Sequence, residues 1–228
     1  MFNSSSVIQD LDGKLVLIWG CAGHAAVLID TIISRGGKVI AFIDMQVKIS
    51  LLDSVPVFSN PQACVDWCIS QGYQKEILCG VAAIGRSGKD RLSVQNFFRA
   101  HEIIMPCLIH PLASISPQAT IGNGSQILPM AIVAAKALIN DICIINHRAT
   151  VDHECILERG VTLAPGTTLC GSVHVGENVF IGAGAIVSPR LNIGAGATIG
   201  AGAVVICDVP PGDIVVGNPA RSIKFKSL

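Results

Sequence analysis

The chain has 228 residues, a formal net charge of zero from 16 Lys and Arg against 16 Asp and Glu, and only 14% charged residues. Such a surface suits neither nucleic acid nor another polyanion, and it carries no acidic tail. Mean hydropathy is high at +0.58, yet no segment approaches the roughly 18 uninterrupted apolar residues of a spanning helix, so no membrane span is expected. The length allows one or two domains. Met1 to Gly13 lacks a basic region followed by an apolar run, which argues against a secretory signal. Nine cysteines are an odd number and read as free thiols in a reducing cytoplasm.

In chain order, Lys14–Trp19 is a short apolar strand ending at Gly20, and Ala25–Arg35 reads as a helix. Lys38–Ile43 is a second strand, ending at Asp44. Helices are expected over Pro61–Gln71 and Asp90–His101, with the strand Glu76–Ala83 between them. Strands alternating with helices predict a small parallel α/β sheet, with its ligand site at the carboxyl ends of the strands. Gly20-Cys21-Ala22-Gly23-His24 stands at the first such end and leads into a helix N-terminus, where backbone N–H groups attract phosphate. Gly85-Arg86-Ser87-Gly88-Lys89 lacks the spacing of a nucleoside-triphosphate loop. Cys64 and Cys68, four apart on a predicted helix, read as packing residues.

From residue 106 the pattern changes. Seventeen aliphatic residues stand six apart without a break, from Ile109, Ile115 and Ile121 through Val151 and Leu169 to Val205. Two residues before each lies a small or β-branched residue, Leu191 being the bulky exception. A period of six fits neither a helix nor simple strand alternation. It fits a two-sided turn-and-strand unit repeated three times per coil, with one aliphatic plug and one small residue facing inward on each pass. The prediction is a parallel β-helix of nearly six coils. Cys143, Cys155 and Cys107 fall at its inward positions. A regular prism has flat faces and no deep pocket, so chemistry must use outward residues or grooves between prisms.

The segments IWGCAGHAAVLID (Ile18–Asp30), AFID (Ala41–Asp44), AAIG (Ala82–Gly85), LIHPLASISPQATIG (Leu108–Gly122), VDHEC (Val151–Cys155), LAPGTTLCGSVHVG (Leu163–Gly176) and VVGNPAR (Val215–Arg221) carry a resemblance. Together they resemble the bacterial nucleotide-sugar acetyltransferases of the PglD/NeuD type, over nearly the whole chain from Leu15 to about Lys224. The resemblance implies an N-terminal Rossmann-like domain over residues 1–105. A left-handed β-helix of the hexapeptide-repeat kind, with its C-terminal tail, would occupy residues 106–228. It also implies a homotrimer, acetyl-CoA in the grooves between prisms, no metal, and a nucleotide-activated amino sugar as acceptor. In that family the histidine of the VDHEC-like motif is the general base and the next acid orients it. Those roles fall on His153 and Glu154. Substrate contacts fall on Ala22, Gly23, His24, Asp44 and Gly85, and cofactor contacts on Gly171, Ala183 and Ala201. Thr162 stands where the family often has a second histidine near the acetyl carbonyl, and either its hydroxyl or a backbone N–H in the groove is the expected oxyanion donor. His147 is a second departure, an extra imidazole one hexad before the base, expected either to change substrate choice or to hydrogen-bond to the base.

The expected reaction is acetyl transfer to a sugar amino group, at carbon 4, for surface glycan synthesis. O-acetylation of a sialic-acid-type sugar is the alternative, since the same base serves a hydroxyl. Two other classes remain as alternatives. A zinc enzyme of the gamma carbonic anhydrase type would use His110, His147 and His153, whose spacing is similar but longer by one residue in each interval. A non-enzymatic nucleotide-sugar-binding module would not need the acid-histidine-acid cluster Asp152-His153-Glu154. His110 is expected in the turn that joins the two parts, and His101 and His174 in solvent without partners.

Overall fold

In a computed structural model, residues 10–46 and 49–223 are described. The expected outer limits at Met1 and Leu228 lie outside the described residues. The first part contains β1 (Leu15–Trp19), β2 (Lys38–Ile43), β3 (Val57–Phe58) and β4 (Leu78–Ala82). Its helices are α1 (Gly23–Ser34), α2 (Pro61–Ser70) and α3 (Gly88–Ala100). The strands are parallel, in the order β3-β2-β1-β4. β3 was not legible in the chain because two residues leave no periodic signal. α1 and α3 each start two residues earlier than the apolar pattern predicts, at glycines that helix propensity alone would not select.

Alternation along β1 separates two small cores. Val16 and Ile18 pack with Ala25, Leu28 and Ile32 of α1 on one side. Leu17 packs with Cys64 and Cys68 of α2 and Phe98 of α3 on the other, so the two cysteines are packing residues. β1 lies between β2 and β4, and the strand order reverses there. The crevice of such a sheet opens at the carboxyl ends of those strands, here at Gly20 and Ala83.

From Leu108 onward, seventeen two-residue strands recur every six residues, from β5 (Leu108–Ile109) to β21 (Val204–Val205). Strands β5 to β18 each pair in parallel with the strand one coil, or eighteen residues, further on, as Ile109 with Ile127 and Ile127 with Ile145. The result is a prism with three flat faces. The first holds Leu108, Gln126, Ile144 and Thr162 at its outward positions, the second Ser114, Ile132 and Thr150, the third Thr120, Leu138 and Ile156. The plugs are buried, each worth about 1.5–3 kcal/mol of apolar transfer; Val151, Leu157, Leu163 and Leu169 are wholly inaccessible. Ile115, on the end strand of the second face, is only partly buried, whereas Ile109 and Ile121 on the end strands of the other two faces are buried. At the other end β22 (Ile214–Val216) extends the first face and β23 (Arg221–Ser222) turns back to pair antiparallel beside it as the edge strand.

The α/β part sits on the first face, and one side chain dominates the contact. Arg91 of α3 is fully buried. Its Nε donates to Ile142 O at 2.9 Å, its Nη1 to Ile84 O at 2.9 Å, and its Nη2 to Gly160 O at 2.8 Å and Thr162 Oγ1 at 2.9 Å. Burial pushes its pKa down to about 10, and every close acceptor is neutral. A buried cation of this kind is tolerated only when its donors are satisfied. Gly88, at the start of α3, allows the approach: a Cβ there would stand 2.3 Å from Gly160 O.

Candidate active site

The predicted substrate residues gather at the crevice and at its junction with the prism. Ala22 is the N-cap of α1 but makes no side-chain cap, and no acid stands in the first turn. The first N–H groups of α1 therefore face outward without a side-chain acceptor, a setting that favours an anion. Gly23 and Gly85 each have open space where a Cβ would lie. Asp44 holds the glycine turn in shape: its Oδ2 accepts from Cys21 N and its Oδ1 from Gln46 N, both at 2.8 Å.

His24 lies in the first turn of α1 and reaches across to the prism. Gln126 Nε2 donates to Ala82 O at 2.7 Å, which turns its Oε1 toward His24 Nε2 at 2.8 Å. Oε1 only accepts, so Nε2 carries the proton and Nδ1 is left with its lone pair. Burial holds the His24 pKa below its ordinary value, with the Arg91 and His147 charges adding to the effect. His24 is thus a neutral, oriented imidazole between the two parts of the chain, and it does not cap the helix.

His153 and Glu154 stand at the corner between the second and third faces. Their side chains are 57% and 49% exposed, and His153 Nδ1 lies 3.4 Å from Glu154 Oε2. His153, followed by the Lys136 ammonium, keeps the Glu154 carboxyl below its usual range. Asp152 does not face the ring; its Oδ1 accepts from His153 N at 2.7 Å and fixes the turn. The imidazole lies over Gly171, one coil further on. A Cβ on Gly171 would meet His153 Nε2 at 2.4 Å, so only glycine leaves the ring room to lie there.

Several expectations need correction. Thr162 is buried at 2% exposure. Its hydroxyl accepts from Arg91 and donates to Gly85 O at 3.3 Å. The α/β part covers it, so that hydroxyl is committed to the junction and does not project into an open groove. His147 does not bond to His153: its Nδ1 faces Asn146 Oδ1 at 2.7 Å. His174 has a partner, Glu158 Oε1 at 3.2 Å, and His101 has two, Phe97 O at 2.9 Å and Gln62 Oε1 at 3.0 Å. Ala183 and Ala201 follow strands of the first face and lie at the corner between the first and second faces, whereas Gly171 and His153 lie at the far edge of the second. His110 and His147 also belong to the nearer corner. Among the described residues, no three His, Cys, Asp or Glu side chains are grouped to hold a metal ion, and no helix is long and apolar enough to cross a membrane.

Sequence reasoning passed over Arg91, Gln126, Lys136 and Ser172. Nothing local marks the first two. The last two stand eighteen residues before and after Glu154, a coil-length spacing that the hexad register makes readable.

A prism of hexapeptide coils with a small parallel α/β unit on one face is the architecture of a hexapeptide-repeat transferase. Residues 15–96 match the model for the PglD N-terminal domain and residues 172–207 the model for the bacterial transferase hexapeptide (six repeats). The acetyltransferase domain of PglB from Neisseria gonorrhoeae FA1090 is 32% identical; the match covers 92% of this chain and 100% of that one at a TM-score of 0.82. The same domain has also been solved with acetyl coenzyme A. PerB from Caulobacter crescentus, in complex with CoA and GDP-perosamine, is 34% identical over 91% of this chain and 96% of its own, at a TM-score of 0.82. WeeI from Acinetobacter baumannii AYE is 25% identical over 92% and 100%, at 0.78. No curated protein sequence matches the chain. The chain belongs to the PglD/NeuD-type family of nucleotide-sugar acetyltransferases, and its prism is the left-handed β-helix of that family.

Proposed function

We propose that this protein transfers acetyl from acetyl-CoA to the amino group, at carbon 4, of a nucleotide-linked deoxy sugar for surface glycan synthesis. The observation that carries the reading is the His153–Glu154 pair over Gly171, in a chain with solved relatives that hold CoA and GDP-perosamine. With Nδ1 turned to Glu154, the lone pair is on Nε2, the atom over Gly171. A sugar amine attacks the thioester only when neutral and becomes more acidic as the new bond forms. Nε2 takes that proton, Glu154 steadies the resulting imidazolium, and the tetrahedral adduct expels the CoA thiolate. Positioned acid–base help of this kind contributes about 10²–10⁴-fold. With the Thr162 hydroxyl committed elsewhere, a backbone N–H in the groove is the donor we assign to the oxyanion.

We assign residues 1–105 to the nucleotide sugar, with the α1 N-terminus, His24, Asp44 and Gly85 as its contacts, and residues 106–228 to acetyl transfer. Zinc catalysis on the carbonic anhydrase pattern and a purely sensing module both fit the family less well. Gly171 and the pair Ala183 and Ala201 lie at opposite edges of the second face, whose six-residue hexads span at most about 20 Å at ~3.3 Å per residue. An acetyl-CoA touching all three is best supplied by two prisms side by side, which supports a homotrimer with cyclic symmetry working in the cytoplasm. A monomeric mass by light scattering at micromolar concentration would count against that assembly. The reaction is tested by CoA release with UDP-, GDP- and dTDP-linked amino sugars beside sialic acids. N-acetylation of a 4-amino sugar is expected; acetylation of sialic acid hydroxyls alone would replace the amine with an alcohol acceptor. His153→Ala is expected to cost about 10²–10⁴-fold in turnover while acetyl-CoA binding is retained, and near-normal turnover would remove His153 as the base.

A further inference from the structure

We infer that Lys136 and Ser172 are positioning residues that hold the Glu154 carboxylate against His153; the inference rests on His153 being the base. Glu154 is half exposed and has three rotatable bonds beyond its Cα, so nothing in its own backbone points its carboxylate at the ring. Its neighbours along the prism axis do. Lys136, Glu154 and Ser172 occupy the same corner in three consecutive coils, with φ of 61°, 59° and 60°. Equal left-handed backbones at equal positions send the three side chains in one direction, stacked at about the 4.8 Å spacing of neighbouring strands. Lys136 Nζ stands 3.6 Å from Glu154 Oε1. Ser172 Oγ donates to Oε2 at 3.4 Å, the oxygen that faces His153 Nδ1. One coil before and one coil after thus each hold one carboxylate oxygen, and the carboxylate plane is fixed between them.

As a stabilising ion pair this contact is minor, since both side chains are exposed and such pairs contribute little. A kinetic role asks only that the carboxylate spend its time facing Nδ1, so that Nε2 keeps its lone pair toward the acceptor. Lys136 acts through Glu154, and its effect should vanish when Glu154 cannot carry charge.

The test is a double-mutant cycle in the full-length protein, using acetyl-CoA and the acceptor of highest kcat/KM from the panel above. Lys136→Met is expected to lower kcat about threefold to tenfold, with the acetyl-CoA KM unchanged and Lys136→Arg restoring most of the loss. Ser172→Ala should lower it less. In the Glu154→Gln background, Lys136→Met should have no further effect. Multiplying effects in the double variant, or an unchanged kcat in Lys136→Met, would overturn the inference. A raised acetyl-CoA KM with kcat intact would also overturn it, making Lys136 a cofactor contact instead. His153→Asn separates the two levels. Turnover retained in that variant rejects the base assignment, whereas an inactive His153→Asn beside a multiplicative cycle rejects only the ladder.

Discussion

The junction and the corner hold their polar groups in opposite ways. At the junction, Arg91 is fully buried and its guanidinium meets carbonyls at Ile84, Ile142 and Gly160 and the Thr162 hydroxyl, all within 2.9 Å. At the corner, His153 and Glu154 stay about half in solvent, and their closest approach is 3.4 Å. A buried donor has no water to fall back on, so the chain itself must satisfy it, and the junction is rigid scaffold. An exposed pair keeps hydrogen-bonding capacity for whatever arrives. The difference separates a joint from a working surface, though both are built from charged side chains.

The sharpest break of that contrast is at Arg91. Arg91→Met leaves carbonyls at Ile84, Ile142 and Gly160 without a donor, and a loss of roughly 2–4 kcal/mol in unfolding free energy is expected from unpaired buried groups. Urea denaturation measures it, and a variant as stable as the parent would mean that the joint holds without its cation. Gly171→Ala should do the reverse. The added methyl meets the end of a mobile side chain and not backbone, so stability should stay within about 0.5 kcal/mol. The ring must move, however, and kcat should drop about tenfold or more. Equal kinetics would show that His153 does not work from the position it takes over Gly171.

The smallest expected effect is on acid stability. The His24 pKa is lowered by burial from an ordinary 6.5, so the unfolded chain binds its proton more readily than the native protein does. Stability is then fully present above pH 6.5 and declines as the pH falls from there toward the native value. The melting temperature should decrease on acidification through that window, and His24→Gln should flatten the decrease. A His24→Gln profile that matches the parent would place the acid sensitivity elsewhere, with His110, whose pKa burial also lowers, as the next candidate.

The sequence made the prism readable because a single period dictates which way each side chain points; Val151, Leu157 and Leu163 need no knowledge of their neighbours to be placed inward. It made the proposed catalytic pair easy to single out because His153 and Glu154 are adjacent in a short motif. It could not reveal what covers an outward position. Thr162 and Gln126 were outward by register, and both are sealed by the α/β part, through partners 71 and 44 residues away in the chain. Arg91 was hidden for the same reason: a helix arginine reads as solvated until a second surface is laid against it.

Counting in turns has a practical consequence for the length of this molecule. The junction draws on the prism at Gln126, Ile142 and Thr162, the proposed working corner at His153, Gly171 and Ser172, and the proposed acetyl-CoA contacts at Ala183 and Ala201, so every group of the candidate site precedes Val205. Eighteen residues added after Val205 would lengthen the prism and leave each earlier side chain on its own face. Six residues inserted between His153 and Gly171 would carry Gly171 one face onward and bring another residue under the imidazole. The protein can therefore vary in length by whole coils below its site, but within the site it has no spare hexad.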